Sequence, residues 1–100
     1  MRIRLLPEAK QELFESFEWY EREQAGTGWR FLEYVQKTPN AVKQDPKRFP
    51  IVGKTIRKAV MDVFPFLLYF EIISEDDEEI VVILSVFHGK RKPIDWGGGE

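Results

Sequence analysis

The stretch "FPFLLYFEIISEDDEEIVVILSVFH", Phe64 to His88, decides the fold. Two runs rich in β-branched and aromatic residues flank five consecutive acids, Glu75 to Glu79. Both runs are far too short to cross a bilayer. Joined by so short a polar link, they read as neighbouring antiparallel strands, Phe66 to Ile73 and Ile80 to His88. Upstream, "TIRKAVM", Thr55 to Met61, is a third strand, linked to the second through "DVFP", which completes a meander. On the middle strand Phe66, Leu68, Phe70 and Ile72 form an unbroken apolar face, the expected seat of the helices. Leu67, Tyr69, Glu71 and Ile73 form a more polar opposite face.

Before the meander, "KQDPKRFPIVGK" reads as a loop, given two prolines and a glycine amid charge. Two helices precede it. Pro7 is placed to open the first, Glu8 suits its N-terminal dipole, and Ala9, Leu13, Phe17 and Tyr20 recur along one face. "AGTG" stops that helix, and Thr27 is the expected cap of a second, in which Phe31, Val35, Thr38 and Val42 form the next stripe. Pro39 falls inside it and implies a kink, or a fresh turn capped by Thr38. The short link makes the pair an antiparallel hairpin. "RIRLL" at the start alternates as a strand, with Ile3 and Leu5 on one side. The order is β-α-α-β-β-β, an α+β fold with a helical hairpin packed on one face of an antiparallel sheet. Residues 1–96 make one domain, and "GGGE", 97–100, is read as a flexible tail.

Length and composition agree with that reading. One hundred residues hold one core, and a 43% hydrophobic, 14% aromatic chain is globular. The absence of cysteine excludes disulfides and thiolate metal sites and fits a reducing cytoplasm. The start "MRIRLLPEAK" lacks the apolar stretch of a signal peptide, so a cytoplasmic protein is expected, with no membrane association. With one histidine, and no calcium-loop spacing or glycine in "EDDEE", no metal or other cofactor is expected. The net charge of −2 conceals segregation: outside "EDDEE" the chain carries 15 basic and 12 acidic residues, a net of +3. Nine of those bases fall within Lys43 to Lys58 and Lys90 to Lys92, which allows a basic face on an acidic protein.

Folding the meander about its turns sets Arg57 across from Tyr69 and Tyr69 across from Leu84, with Phe66 near Phe87. His88 and the following basic run then emerge beside the first turn, and the acidic hairpin lies at the far end of the sheet.

Together, "EAKQELFESFEWYE", "DPKRFP", "IRKAVMDVFPFLLYFEI" and "IVVILSVFHGKRKPIDW" make the chain resemble the RelE/ParE superfamily of bacterial toxins, the poison half of type II toxin–antitoxin, or plasmid stabilisation, modules. The match covers nearly the whole chain in the same element order. The tail "VFHGKRKPIDW" is more similar to the ParE branch. That resemblance implies a cognate antitoxin as partner and DNA gyrase as a target inhibited by binding. It leaves a homodimer open. The alternative is the RelE-like activity, cleavage of ribosome-bound mRNA. In that branch basic residues at the places of Arg57 and Arg91 act with a C-terminal tyrosine or histidine. Trp96 stands near the tyrosine's place and has no titratable proton.

Metal-free RNA cleavage needs a base, a cation for the phosphorane charge and an acid. His88, Arg57 and Arg91 are the catalytic candidates if the chain is a nuclease. For a binding toxin, Arg57, Lys58, Tyr69, Lys90, Arg91, Lys92 and Trp96 are the candidate contact residues. Each has a structural alternative: His88 as a hydrogen-bonded strand end, Arg57 stacked on Tyr69 and paired with Glu71, Lys90 to Lys92 as a solvated turn, and Trp96 as a seal on the sheet edge. As exposed cations, Arg57 and Arg91 are expected to be replaceable by alanine with little effect on folding. Trp19, Trp29, Phe14 and Tyr34 lie off the core stripes and are expected to expose an apolar groove for an amphipathic partner.

Overall fold

A computed structural model describes residues 2–88. The first strand, β1 (Arg2–Leu5), leads through Leu6 into helix α1 (Pro7–Glu23). Helix α2 (Thr27–Gln44) follows, then a single 3-10 turn (Pro46–Arg48). Strands β2 (Ile51–Gly53), β3 (Ile56–Val60), β4 (Phe66–Glu75) and β5 (Glu78–His88) complete the described chain. The sheet order is β1-β5-β4-β3-β2. The β3-β4-β5 meander is antiparallel, as expected, and the helical hairpin covers one face of the sheet.

Two features differ from the expected sheet. Strand β1 joins β5 in parallel, Arg2 opposite Ile80 through Leu5 opposite Ile83, so the sheet as a whole is mixed. The crossover that a parallel pair requires is supplied by everything between them. The stretch read wholly as a loop also contains β2, an edge strand too short for a periodic signal, held antiparallel to β3 by Ile51 opposite Arg57.

The core is built from the residues that share a face in the sequence. Ala9 of α1 and Phe31, Val35, Thr38 and Val42 of α2 are buried. They meet Phe66, Leu68 and Phe70 of β4, Ala59 of β3, and Val81, Ile83 and Val86 of β5. Phe31 stacks against Tyr20, Phe64 and Phe66 at ring-centroid distances of 5.2, 5.3 and 5.0 Å. Tyr34, expected outside the core, joins it through Phe64 at 5.7 Å. Phe14, Trp19 and Trp29 do stand out in solvent. The face away from the helices is less polar than its alternation implied: Tyr69 is only 2% exposed there, in a second cluster with Ile56 and Phe87.

Helix α2 runs unbroken through Pro39. Its start is not capped by Thr27, which is already the first helical residue behind Gly26 in the left-handed region (φ 94°). The carboxylate of Glu21, one helix earlier, accepts from the backbone N–H groups of Gly26 (2.9 Å) and Gly28 (2.8 Å). It thereby satisfies helix N-terminal donors and fixes the hairpin at once.

The register differs from the expected one by a residue where it matters most. Arg57 lies opposite Phe70 and Lys58 opposite Tyr69. Between β4 and β5 the expected pairing holds from Phe70 opposite Ile83 to Glu75 opposite Glu78, then slips at Leu84, so that Tyr69 faces Ser85 and Phe66 faces His88. The extra residue is a β-bulge. His88 ends β5 opposite Phe66, at the end of the sheet away from the acidic turn, as expected, and Asp76 and Asp77 take left-handed conformations at that turn. That acidic hairpin is more than a solvated tip. Glu75 pairs with Arg4 at 2.8 Å and Glu78 with Arg2 at 3.1 Å. The bond from Arg4 holds the Glu75 carboxyl below, and its own guanidinium above, their ordinary ranges.

Candidate functional site

The one-residue register difference decides where each candidate points, because neighbours on a strand face opposite sides. Arg57 shares a face with Phe70, the helix side, at the β2-β3 edge. Its Nη1 donates to the carbonyl of Phe49 at 2.8 Å and of Lys47 at 3.2 Å. Phe49 in turn packs on Phe70 at 5.8 Å. Arg57 therefore ties the segment entering β2 to the sheet, in place of the expected stacking on Tyr69 and pairing with Glu71. The Glu71 carboxylate accepts from the Thr55 hydroxyl instead, at 2.6 Å. Lys58 and Tyr69 are the pair that share the outer face.

His88 lies at the other edge of the helix side, its ring 5.0 Å from that of Phe66. Arg57 and His88 are opposite Phe70 and Phe66, on strands separated by β4. Four residues along that strand and two strand spacings across it put their Cα atoms roughly 16 Å apart. The structure thus assembles Lys58 with Tyr69 and leaves Arg57 and His88 in separate places. Lys90, Arg91, Lys92 and Trp96, with the 97–100 tail, lie outside the described residues.

What His88 does meet is a cavity of about 400 Å³ between α1 and the end of β5, lined by Glu12, Glu15, Ser16, Trp19, Tyr20, Phe66, Val86 and His88. Its origin is in the topology. Strand β1 stops at Leu5, and the last link of its ladder is the Leu6 N–H donating to the carbonyl of Ile83 at 3.0 Å. Beyond that point β5 keeps β4 on one side but has no strand on its β1 side, where α1 passes instead. Glu12 of α1 takes over the missing strand's acceptors: its carboxylate accepts from the Val86 N–H at 2.9 Å and from the Ser85 hydroxyl at 2.9 Å. The bulge at Leu84 brings both donors to the same carboxylate. Burial pushes the pKa of the Tyr20 phenol above its usual value, so that wall stays neutral. Trp19 was expected to face a partner groove, but Glu12 and Glu15 were not among the sequence candidates. Their spacing along α1, beside the Ala9-Leu13-Phe17-Tyr20 stripe, was the available signal.

No group of three or more metal-ligating side chains is found among the described residues, and no described helix is long and apolar enough to cross a membrane.

With that geometry in view, a family model described as the ParE toxin of the type II toxin–antitoxin system, parDE, matches residues 3–93. Among solved structures, the chain is similar to one titled a chromosomal ParDE TA system from P. aeruginosa. The TM-score is 0.74 at 13% identity, over 88% of this chain and 95% of that one, a likeness of fold. No curated protein matches the sequence.

Proposed function

We propose a mode of action for a chain that belongs to the ParE toxin family of type II toxin–antitoxin systems: it inhibits DNA gyrase by binding, and cuts no RNA. The family makes the chain a toxin component and implies a cognate antitoxin as its partner. The choice of target and of mode is our reading. Its main support is the separation of Arg57 from His88, one on each edge of the helix side of the sheet. Cleavage needs a proton-transfer group and a cation on the same phosphate, within hydrogen-bond reach. With Cα atoms roughly 16 Å apart and the Arg57 guanidinium turned to the Phe49 and Lys47 carbonyls, the two side chains are not arranged to meet on one phosphate. The two hydrogen bonds from Arg57 to backbone carbonyls further engage its guanidinium in the fold. A binding toxin asks only that a surface fit, and Lys58, with the basic run Lys90 to Lys92, are the contacts we assign to gyrase; Tyr69 shares the face of Lys58 but is buried and offers no surface of its own. The site of action is then the cytoplasm.

Purified toxin added in excess to gyrase in a supercoiling assay is expected to block supercoiling, and Lys58→Ala with Arg91→Ala to relieve the block. Unimpaired gyrase, together with cleavage of ribosome-bound mRNA by the same preparation, would establish the nuclease reading instead.

A further inference from the structure

The cavity beside α1 combines two features that seldom meet by chance: aromatic walls and a carboxylate rim. Trp19, Tyr20, Phe66 and His88 supply ring surface, and Trp19 is 52% exposed at the mouth. Glu12 and Glu15 supply the charge. They belong to a helix whose charged residues are Glu8, Glu12, Glu15, Glu18, Glu21 and Glu23 against Lys10 and Arg22. The ion pairs among the described residues are all made by Arg2 and Arg4 at the far hairpin, so neither rim carboxylate has a described cation within 4.0 Å. Acceptor capacity also remains. A carboxylate offers about four lone-pair sites. Glu12 accepts from two donors, the Ser85 hydroxyl shared between its oxygens and the Val86 N–H, and Glu15 accepts one bond, from Gln11 at 2.8 Å.

The occupant can be argued from that chemistry. An apolar side chain would strip water from the carboxylates and return no hydrogen bond. An acidic one would meet like charge. A guanidinium satisfies both features, because its flat face stacks on an indole or phenol while its edge donates to a carboxylate. Lysine would meet the charge but not the stacking geometry. Resting on the toxin–antitoxin assignment for the source of the side chain, we infer that this cavity is the seat of an arginine side chain presented by the antitoxin. Glu15 and Glu12 anchor it by charge, and Trp19 stacks over it.

The test uses the full chain and N-acetyl-L-argininamide as probe, read by the NMR shift of the Trp19 indole N–H. A saturable shift is expected, at least tenfold weaker binding in Glu15→Gln, and no response to the uncharged isostere N-acetyl-L-citrullinamide. Glu15 and Trp19 lie at the surface, so Glu15→Gln and Trp19→Ala should fold, which thermal melting verifies. No saturable shift, or an equal response to citrulline, overturns the assignment. So does a wild type that ignores the probe while Arg91→Ala accepts it, since the chain's own cation would then be the occupant. A second arm measures affinity for the protein encoded next to the gene. A tight complex that Glu15→Gln and Trp19→Ala leave unchanged refutes the cavity assignment alone. Absence of any complex, with the probe still bound, refutes the antitoxin source and leaves the arginine site standing.

Discussion

At the scale of single residues, several positions carry more than their type announces. Gly28 opens α2 beneath α1, and a Cβ there would lie 2.7 Å from the Phe17 carbonyl oxygen and 2.7 Å from Glu21 Cγ. Backbone cannot withdraw as a flexible side chain can, so Gly28→Ala should cost about 2 kcal/mol through overpacking and loosen the Glu21 cap. A thermal melt of the variant should show the drop, and an unchanged melting temperature would contradict the close approach. Arg57 is the clearest case of a role reassigned by contacts. Read as an exposed cation, it should be replaceable without structural cost. Bonded to the Phe49 and Lys47 carbonyls, it should instead cost about 1 kcal/mol when changed to alanine. Arg57→Lys, which restores charge but not the fork, should recover only part of that. Urea midpoints of the two variants measure it, and any loss of toxicity in Arg57→Ala must be weighed against that loss of fold.

At the scale of elements, two junctions repay attention. Where β1 ends, Glu12 replaces a strand's acceptors for β5. Glu12→Ala should therefore leave the Val86 N–H and Ser85 hydroxyl, both on buried residues, without a partner, at about 1–3 kcal/mol. Hydrogen exchange at the Val86 amide should accelerate in that variant and much less in Glu12→Gln, which keeps a carbonyl acceptor. The β3-β4 turn stores strain. The Phe64 N–H donates to the Asp62 carbonyl at 2.7 Å across Val63, held at φ 72° with its side chain 65% exposed. A β-branched residue in that region is costly, on the order of 1–3 kcal/mol, and glycine gives back about 0.5–1 kcal/mol of that in chain entropy. Val63→Gly is expected to stabilise the protein by about 1 kcal/mol, seen as a higher urea midpoint. A lower midpoint would mean that the exposed valine contributes packing.

At the scale of the whole molecule, charge and chemistry are spread over different edges. The basic segment from Lys43 to Lys58 leads through the β2-β3 edge, the paired acids sit at the β4-β5 turn, and the acidic face of α1 lies beside the end of β5. A toxin that acts by binding needs no proton from His88, so His88→Gln should keep most of its growth arrest on expression without antitoxin. In a nuclease the same change should lower the rate by ~10²–10⁴-fold. A well-folded but inactive His88→Gln would favour cleavage. The sequence by itself determined the α+β class, both helices, the meander and the buried stripes of α1 and α2, because those follow from local periodicity and from where proline, glycine and charge interrupt it. It determined the acidic end of the sheet for the same reason. Tertiary structure alone decided the parallel seating of β1, the short strand β2, the cap that Glu21 places on α2, and the bulge at Leu84. None of these has a local signature. A parallel pairing closes over most of the chain, a three-residue strand carries too few alternations to be seen, and a bulge is one extra residue among apolar ones. Yet a one-residue shift of register turns a side chain to the opposite face. That is why Arg57 faces the helix side holding backbone, why Lys58 stands beside Tyr69, and why His88 meets Glu12, Glu15 and Trp19 across one cavity.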